Sequence, residues 1–241
     1  MIDLHCHLLP GLDDGARDLD DSAAMALQAL SDGVETVCAT PHIRHDHAVE
    51  IASLPGRVAT VQAELERRGI GVHVAVGGEV AQTEVDALSD ADLRAVSLGG
   101  SGGWILLEPA PGPLDARLEL SVERLKARGL RAIVAHPERH ADADLEMRLR
   151  TLAAQGCLIQ WTAAFVADPA MAEPIGRWAR MGLVHLLGSD AHSSHFGRPL
   201  ALAPGFARLR ETLPAATVEW MAREAPAAIL RGEAVAPSPF D

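Results

Sequence analysis

The sequence predicts an α/β protein of parallel strands, about seven strand–helix units that close or nearly close into a barrel. Three observations carry this reading. Apolar runs alternate with helical patterns along the whole chain. Several helical patterns stop at a glycine and lead straight into the next apolar run, as at Gly33, Gly129, Gly156 and Gly182. The 241 residues show no linker, repeat or low-complexity segment, so residues 1–241 read as one domain.

The elements follow in order. Residues 2–5 (IDLH) read as a strand, 20–32 as a helix ended by Gly33, and 34–40 (VETVCAT) as a strand. Residues 47–68 carry a helical period that Pro55-Gly56 could divide. Residues 70–79 form a strand ending at a glycine pair. The segment 90–109 reads as two strands around the turn at residues 98–103, the second being the buried run WILLE. Helices are expected at 114–128, 142–155 and 169–181. Strands are expected at 130–136, 157–163 and 183–190, with helical pieces at 203–232 and a loose Pro-rich tail, APSPFD.

Composition excludes several classes of function. Net charge is −12 and aromatic residues are 3%, with no tyrosine, so neither a phosphate backbone nor stacked bases are suited to this surface. The acidic excess fits plain solubility, or a site rich in carboxylates whose bound cations offset it. Cys6, Cys38 and Cys157 are odd in number and far apart, which is no disulfide framework. Neither a signal peptide nor a membrane span is visible, and a cytoplasmic protein is expected.

Polar residues fall at the ends of the strands. His5 and His7 are two apart, so they share a side while Cys6 points away as a small core residue. Further strands run into His42, Glu79, Glu108, His136, and Asp190 with His192, and Asp13-Asp14 follow the first. In a parallel barrel these ends share one rim, where active sites are built. The donors are imidazole and carboxylate, which suit zinc, manganese or iron. They exceed what one ion needs, so two or three ions with a bridging carboxylate are expected.

In this order, HxH, TPH, GGE, LLE, AHPER and SDAH resemble the PHP (polymerase and histidinol phosphatase) superfamily over nearly the whole chain. With LDDG after the first motif and GRP after the last, the sequence is most similar to the bacterial metal-dependent protein-tyrosine phosphatases of capsule and exopolysaccharide synthesis. The resemblance implies a distorted TIM-like (βα)7 barrel with three divalent ions, usually manganese, with iron and zinc elsewhere in the superfamily. It implies His5, His7, Glu79 and Asp190 on the first ion. Glu79 would bridge to a second held by Glu108 and His136, while Asp14, His42 and His192 would hold the third. Arg139 and Arg198 would grip the phosphate, and arginine's planar fork suits that task on chemical grounds as well. The implied activity is phosphotyrosine hydrolysis on a tyrosine kinase partner, by a single in-line attack of metal-bound hydroxide. Asp13 or His192 could assist the leaving phenolate.

Rival readings remain. Histidinol-phosphate phosphatase would use nearly the same ligands, and a non-catalytic metal-binding partner of a capsule kinase would have no need of two rim arginines. Cys38 to Arg44 fits the C-x5-R pattern of cysteine phosphatases, yet Pro41 removes an N–H and no glycine is present. His73 and His185 read as structural, and His45 and His47 as loop residues. For His140 and His195, a substrate-side role and no role are both open. Trp161 departs from the ligand theme and is expected to pack.

Overall fold

The computed structural model describes residues 1–235; the tail at 236–241 lies outside them. Its strands are β1 (Ile2–Cys6), β2 (Thr36–Ala39), β3 (His42–Ile43), β4 (His73–Val76), β5 (Glu79–Ala81), β6 (Trp104–Glu108), β7 (Arg131–Ala135), β8 (Leu158–Thr162) and β9 (Leu186–Gly188). Every pairing among them is parallel. They form two sheets, ordered β1-β2-β4 and β3-β5-β6-β7-β8-β9.

The parallel α/β architecture expected from the alternation is present, but in place of one closed or nearly closed sheet the strands form two parallel sheets. The break has a local cause. Pro41 has no N–H to give, and Gly77-Gly78 lies opposite it, so the ladder lapses between β2 and β3 and between β4 and β5. The register nevertheless carries across: Ala39 pairs with Val76, and His42 with Glu79. At the other margin β1 meets the end of β9 through a Cys6–Ala191 bridge. There Asp190 N donates to His5 O at 2.9 Å, and His7 N to Ala191 O at 2.9 Å.

Helices cover the outer faces. Helix α1 (Leu19–Ser31) starts at Asp18, whose carboxylate accepts from Asp21 N, with Asp20 and Asp21 in the first turn, where the helix dipole favours acids. Its Met25, Ala26 and Ala29 are buried against the sheet, and Gly33 takes the positive φ needed to leave it. Helix α2 (Leu54–Arg67) keeps Pro55 in its first turn, so Pro55-Gly56 opens the helix rather than dividing it.

The two-strand reading of 90–109 is corrected as well. Residues Asp90–Ala95 form helix α3, held by a reciprocal cap between Ser89 and Asp92, and only Trp104–Glu108 is a strand. Expected helices at 114–128 and 142–155 appear as α4 (Ala116–Ala127) and α5 (Leu145–Ala154). Ile105, Leu106 and Leu107 of β6 are fully buried, as a central parallel strand requires.

Candidate metal centre

The carboxyl ends of the strands bring nine imidazole and carboxylate side chains together. His5 and His7 do point the same way, with their Nε2 atoms 3.4 Å apart. Both stand close to Glu79, His5 Nε2 at 3.3 Å from Oε1 and His7 Nε2 at 3.4 Å from Oε2. Asp190 Oδ1 lies 3.4 Å from His5 Nε2 and 3.5 Å from His7 Nε2. Glu79 is the hub of the cluster: His136 Nε2 lies 2.8 Å from Oε1, and His42 Nδ1 lies 2.9 Å from Oε2. Glu108 joins on the His42 side at 3.6 Å. Asp14 Oδ1 is the outermost donor, 3.5 Å from the Nε2 atoms of both His42 and His192.

Four groups of these donors are compact enough to hold an ion: His7, Asp14, His42 and His192; His5, His136 and Asp190; His5, His7 and Glu79; and His42, Glu79 and Glu108. All nine ligand-type residues named from the sequence fall in these groups. The donor chemistry fits divalent cations. Asp190 Oδ1 is buried with no hydrogen-bond partner, and Glu79 Oε2 and His42 Nδ1 face each other at 2.9 Å without a well-aligned bond, a costly state unless a cation meets them.

The protonation pattern has a clear electrostatic origin. Burial disfavours the His7 imidazolium, but the Asp13 and Glu79 carboxylates outweigh it and hold its pKa up at about 9. Glu79 is buried, yet the surrounding histidines keep its carboxyl well below the usual range. His192 is pushed down to about 3 by burial and by His7, which keeps its ring neutral near pH 7.

A layer of polar contacts behind the cluster fixes it. Asp13 Oδ2 accepts from His7 Nδ1 at 2.7 Å and from His42 N at 2.9 Å, while Oδ1 accepts from Gly15 N at 2.9 Å. A side chain at Gly15 would collide with the His7 carbonyl, which explains the glycine of LDDG. Two contributors escaped the sequence reading. Gln160 Oε1 lies 3.0 Å from His5 Nδ1. Asp3 accepts from Ser189 Oγ at 2.5 Å and from the His5 and Ser189 N–H groups, which ties β1 to β9. The signals were a glutamine inside the apolar run LIQWT and an aspartate two residues before His5. His136 and Asp190, at φ 32° and 50°, are the non-glycine residues with positive φ among those described. Such strain is held at functional sites.

Beyond the cluster opens a cavity of about 440 Å³ lined by Asp14, His42, Arg44, Glu108, Arg139, His192, Gly197 and Arg198. Arg139 pairs with Asp190 Oδ2, and Arg198 lies 3.1 Å from the same oxygen. Arg198 Nε also donates to the Asp190 carbonyl at 2.8 Å. Arg44, the third cation, holds Asp46 at 2.6 Å and Glu108 at 3.4 Å.

The bystanders resolve individually. Cys38 is fully buried, its Sγ donates to Val76 O at 3.3 Å, and burial pushes the thiol up to about 12. That is no phosphate-loop nucleophile. Cys6 is buried with its thiol pKa well above the ordinary value. His185 accepts from Ile159 N, His140 holds Gly112 O at 2.7 Å, and His45 faces Glu84 at the surface. His47 stacks on His42, with ring centroids 5.3 Å apart. Trp161 packs between Phe165 and Trp178, as expected.

Parallel strands, a rim of imidazoles and carboxylates and three arginines at the mouth define a metal-site protein suited to an anionic substrate. The family follows from comparison: residues 1–231 match the model of the capsular polysaccharide synthesis family CpsB/CapC, and the chain belongs to it. Tyrosine-protein phosphatase YwqE of Bacillus subtilis is 31% identical over 203 residues, spanning 80% of this chain and 78% of its own. Tyrosine-protein phosphatase CpsB of Streptococcus pneumoniae is 25% identical, over 80% of this chain and 83% of its own. In three dimensions the chain matches a structure from work on YwqE and CpsB, described as metal-dependent tyrosine phosphatases. The TM-score is 0.82 at 27% identity, covering 99% of this chain and 98% of that one. A β-aspartyl dipeptidase at 13% identity and TM-score 0.55 shares the fold alone.

Proposed function

We propose that this protein is a metal-dependent protein-tyrosine phosphatase whose substrate is a phosphorylated tyrosine kinase of capsule or exopolysaccharide synthesis. The observation that carries the reading is the cage itself: orphaned oxygens of Glu79 and Asp190 inside a ring of histidines, directly under a cavity lined by arginines. Family membership supplies the substrate class.

The nine donors fit three divalent ions, manganese by preference over iron or zinc. The family resemblance divides them as His5, His7, Glu79 and Asp190, then Glu79, Glu108 and His136, then Asp14, His42 and His192, while the side-chain positions group His136 with His5 and Asp190, and Glu108 with His42 and Glu79. Bound there, the ions supply neutralisation of the phosphate dianion and acidification of a water. The chain's own residues do the rest. Arg139 and Arg198 are held at the cavity by Asp190 and bind the phosphoryl oxygens bidentately, which orients the ester for in-line displacement. Asp13 accepts from three N–H groups and faces His7, which makes it a positioning residue for that ring rather than a proton donor. A phenolate, whose acid has a pKa of about 10, leaves with little protonation.

The reading extends to architecture and place. The carried register across Pro41 and Gly77-Gly78, with the Cys6–Ala191 bridge, supports a single functional unit derived from a seven-stranded barrel. No helix among the described residues is long and apolar enough to cross a membrane, which is compatible with the cytoplasmic site of action we assign. The test is to strip metal, restore manganese, and follow phosphate release from a phosphotyrosine peptide and from histidinol phosphate in parallel. Preference for the peptide is expected. Preference for histidinol phosphate would move the protein to the alternative activity, and a protein that binds manganese yet hydrolyses neither would support the non-catalytic one.

A further inference from the structure

Everything that lines the cavity is polar or is glycine: two carboxylates, two imidazoles, three guanidiniums and Gly197. Such a lining accounts for capture of a phosphate. It offers no apolar side chain to the organic half of the ester, so any recognition of an aryl group beyond the better leaving ability of phenolate must come from the rim.

One rim residue has the needed chemistry. Phe196 directly precedes the lining residues Gly197 and Arg198 and is 74% exposed, the most exposed large hydrophobic among the described residues. Its ring contact is with its neighbour His195, edge-on at 6.4 Å. The other Phe and Trp side chains among the described residues behave differently. Trp104, Trp161, Phe206 and Trp220 are buried, and Phe165 and Trp178 pack against the core. The segment that presents Phe196 is anchored, since Asp21 of α1 accepts from Ser194 N at 3.0 Å and from Ser194 Oγ at 2.5 Å. At its other end Arg198 is fastened to Asp190. An exposed apolar ring is therefore carried, between two fixed points, on the segment whose next two residues line an otherwise polar anion site.

We propose that Phe196 is the specificity residue for the leaving group, packing against the substrate's aromatic ring while Arg139 and Arg198 hold its phosphate. The inference rests on the phosphatase reading above and adds a binding contribution to its aryl preference. Aromatic pairing of this kind is worth roughly three- to tenfold in a rate or binding constant.

The test compares wild type, Phe196→Ala and Phe196→Trp, all loaded with manganese, on phenyl phosphate and on methyl phosphate. Competitive inhibition by inorganic phosphate serves as the control for the phosphate site. The Ala variant should lose roughly three- to tenfold in kcat/KM on phenyl phosphate, with methyl phosphate and the inhibition constant unchanged. The Trp variant should keep the aryl preference. An equal fall on both esters, a weakened inhibition constant or no fall at all would overturn the assignment. Failure of the wild type to hydrolyse phenyl phosphate would refute instead the phosphatase reading beneath it, and the inference with it.

Discussion

Asp13 offers the sharpest division between a positioning role and a chemical one. Its carboxylate takes three bonds, to His7 Nδ1, His42 N and Gly15 N, and the first two share Oδ2. An amide has one accepting atom. In Asp13→Asn, placing that oxygen toward His7 and His42 turns the NH2 group on the Gly15 N–H; the reverse placement confronts two donors. At least one buried donor is left unpaired, at a cost of about 1–3 kcal/mol in stability. Loss of such an orienting carboxylate lowers metal affinity about 10- to 100-fold, equivalent to about 1.4–2.8 kcal/mol. The assay is manganese titration against a competing chelator, followed by kcat at saturating manganese. A weakened affinity with kcat largely restored by excess metal is expected. Unchanged affinity with a collapsed kcat would refute the positioning argument and return Asp13 to the role of proton donor.

Other perturbations follow from the same geometry. Arg198→Lys cannot span both the Asp190 carbonyl and its carboxylate, so kcat/KM on a phosphotyrosine peptide should fall about 10- to 100-fold, as for loss of a charge-assisted bond; a near-native value would place the phosphate elsewhere. Cys38→Ser should retain most activity, because the thiol is buried and points at Val76 O; abolished turnover in a folded variant would revive the cysteine mechanism. In the metal-free protein His7 has its pKa raised from 6.5 to about 9, so it contributes stability that is fully present below pH 6.5 and is lost as pH rises toward 9. Thermal melts of chelated wild type should lose more across that window than melts of chelated His7→Ala, and equal slopes would contradict the assignment.

Much of the site was legible because a parallel α/β fold gathers strand ends on one face, so a polar residue closing an apolar run reports its own location. His42, Glu79, Glu108, His136 and Asp190 are all of this kind. The contacts that steady them were harder to read. Gln160 reaches His5 across 155 positions of sequence, and Asp3 reaches Ser189 across 186, and no local pattern encodes such pairs. Arg44 was visible only as the end of a false C-x5-R motif, while the structure turns it onto Glu108. The reading of 90–109 failed for a local reason: Leu93, Val96 and Leu98 look like an interrupted strand, and the Ser89–Asp92 cap that makes the segment helical was overlooked. The split sheets arise at Pro41 and Gly77-Gly78, where the chain keeps its course while the ladder thins to the bond from Glu79 N to Pro41 O.

The central claim is that the imidazole–carboxylate cage holds the ions on which activity depends. The most direct measurement is metal content per chain after reconstitution with manganese and removal of excess, for wild type and His192→Ala, with phosphotyrosine phosphatase activity taken on the same samples. The account predicts about three ions in wild type, one fewer in the variant, and activity that falls with the missing ion. A wild type fully active with no bound metal, or a variant with unaltered metal content and undiminished activity, would contradict it.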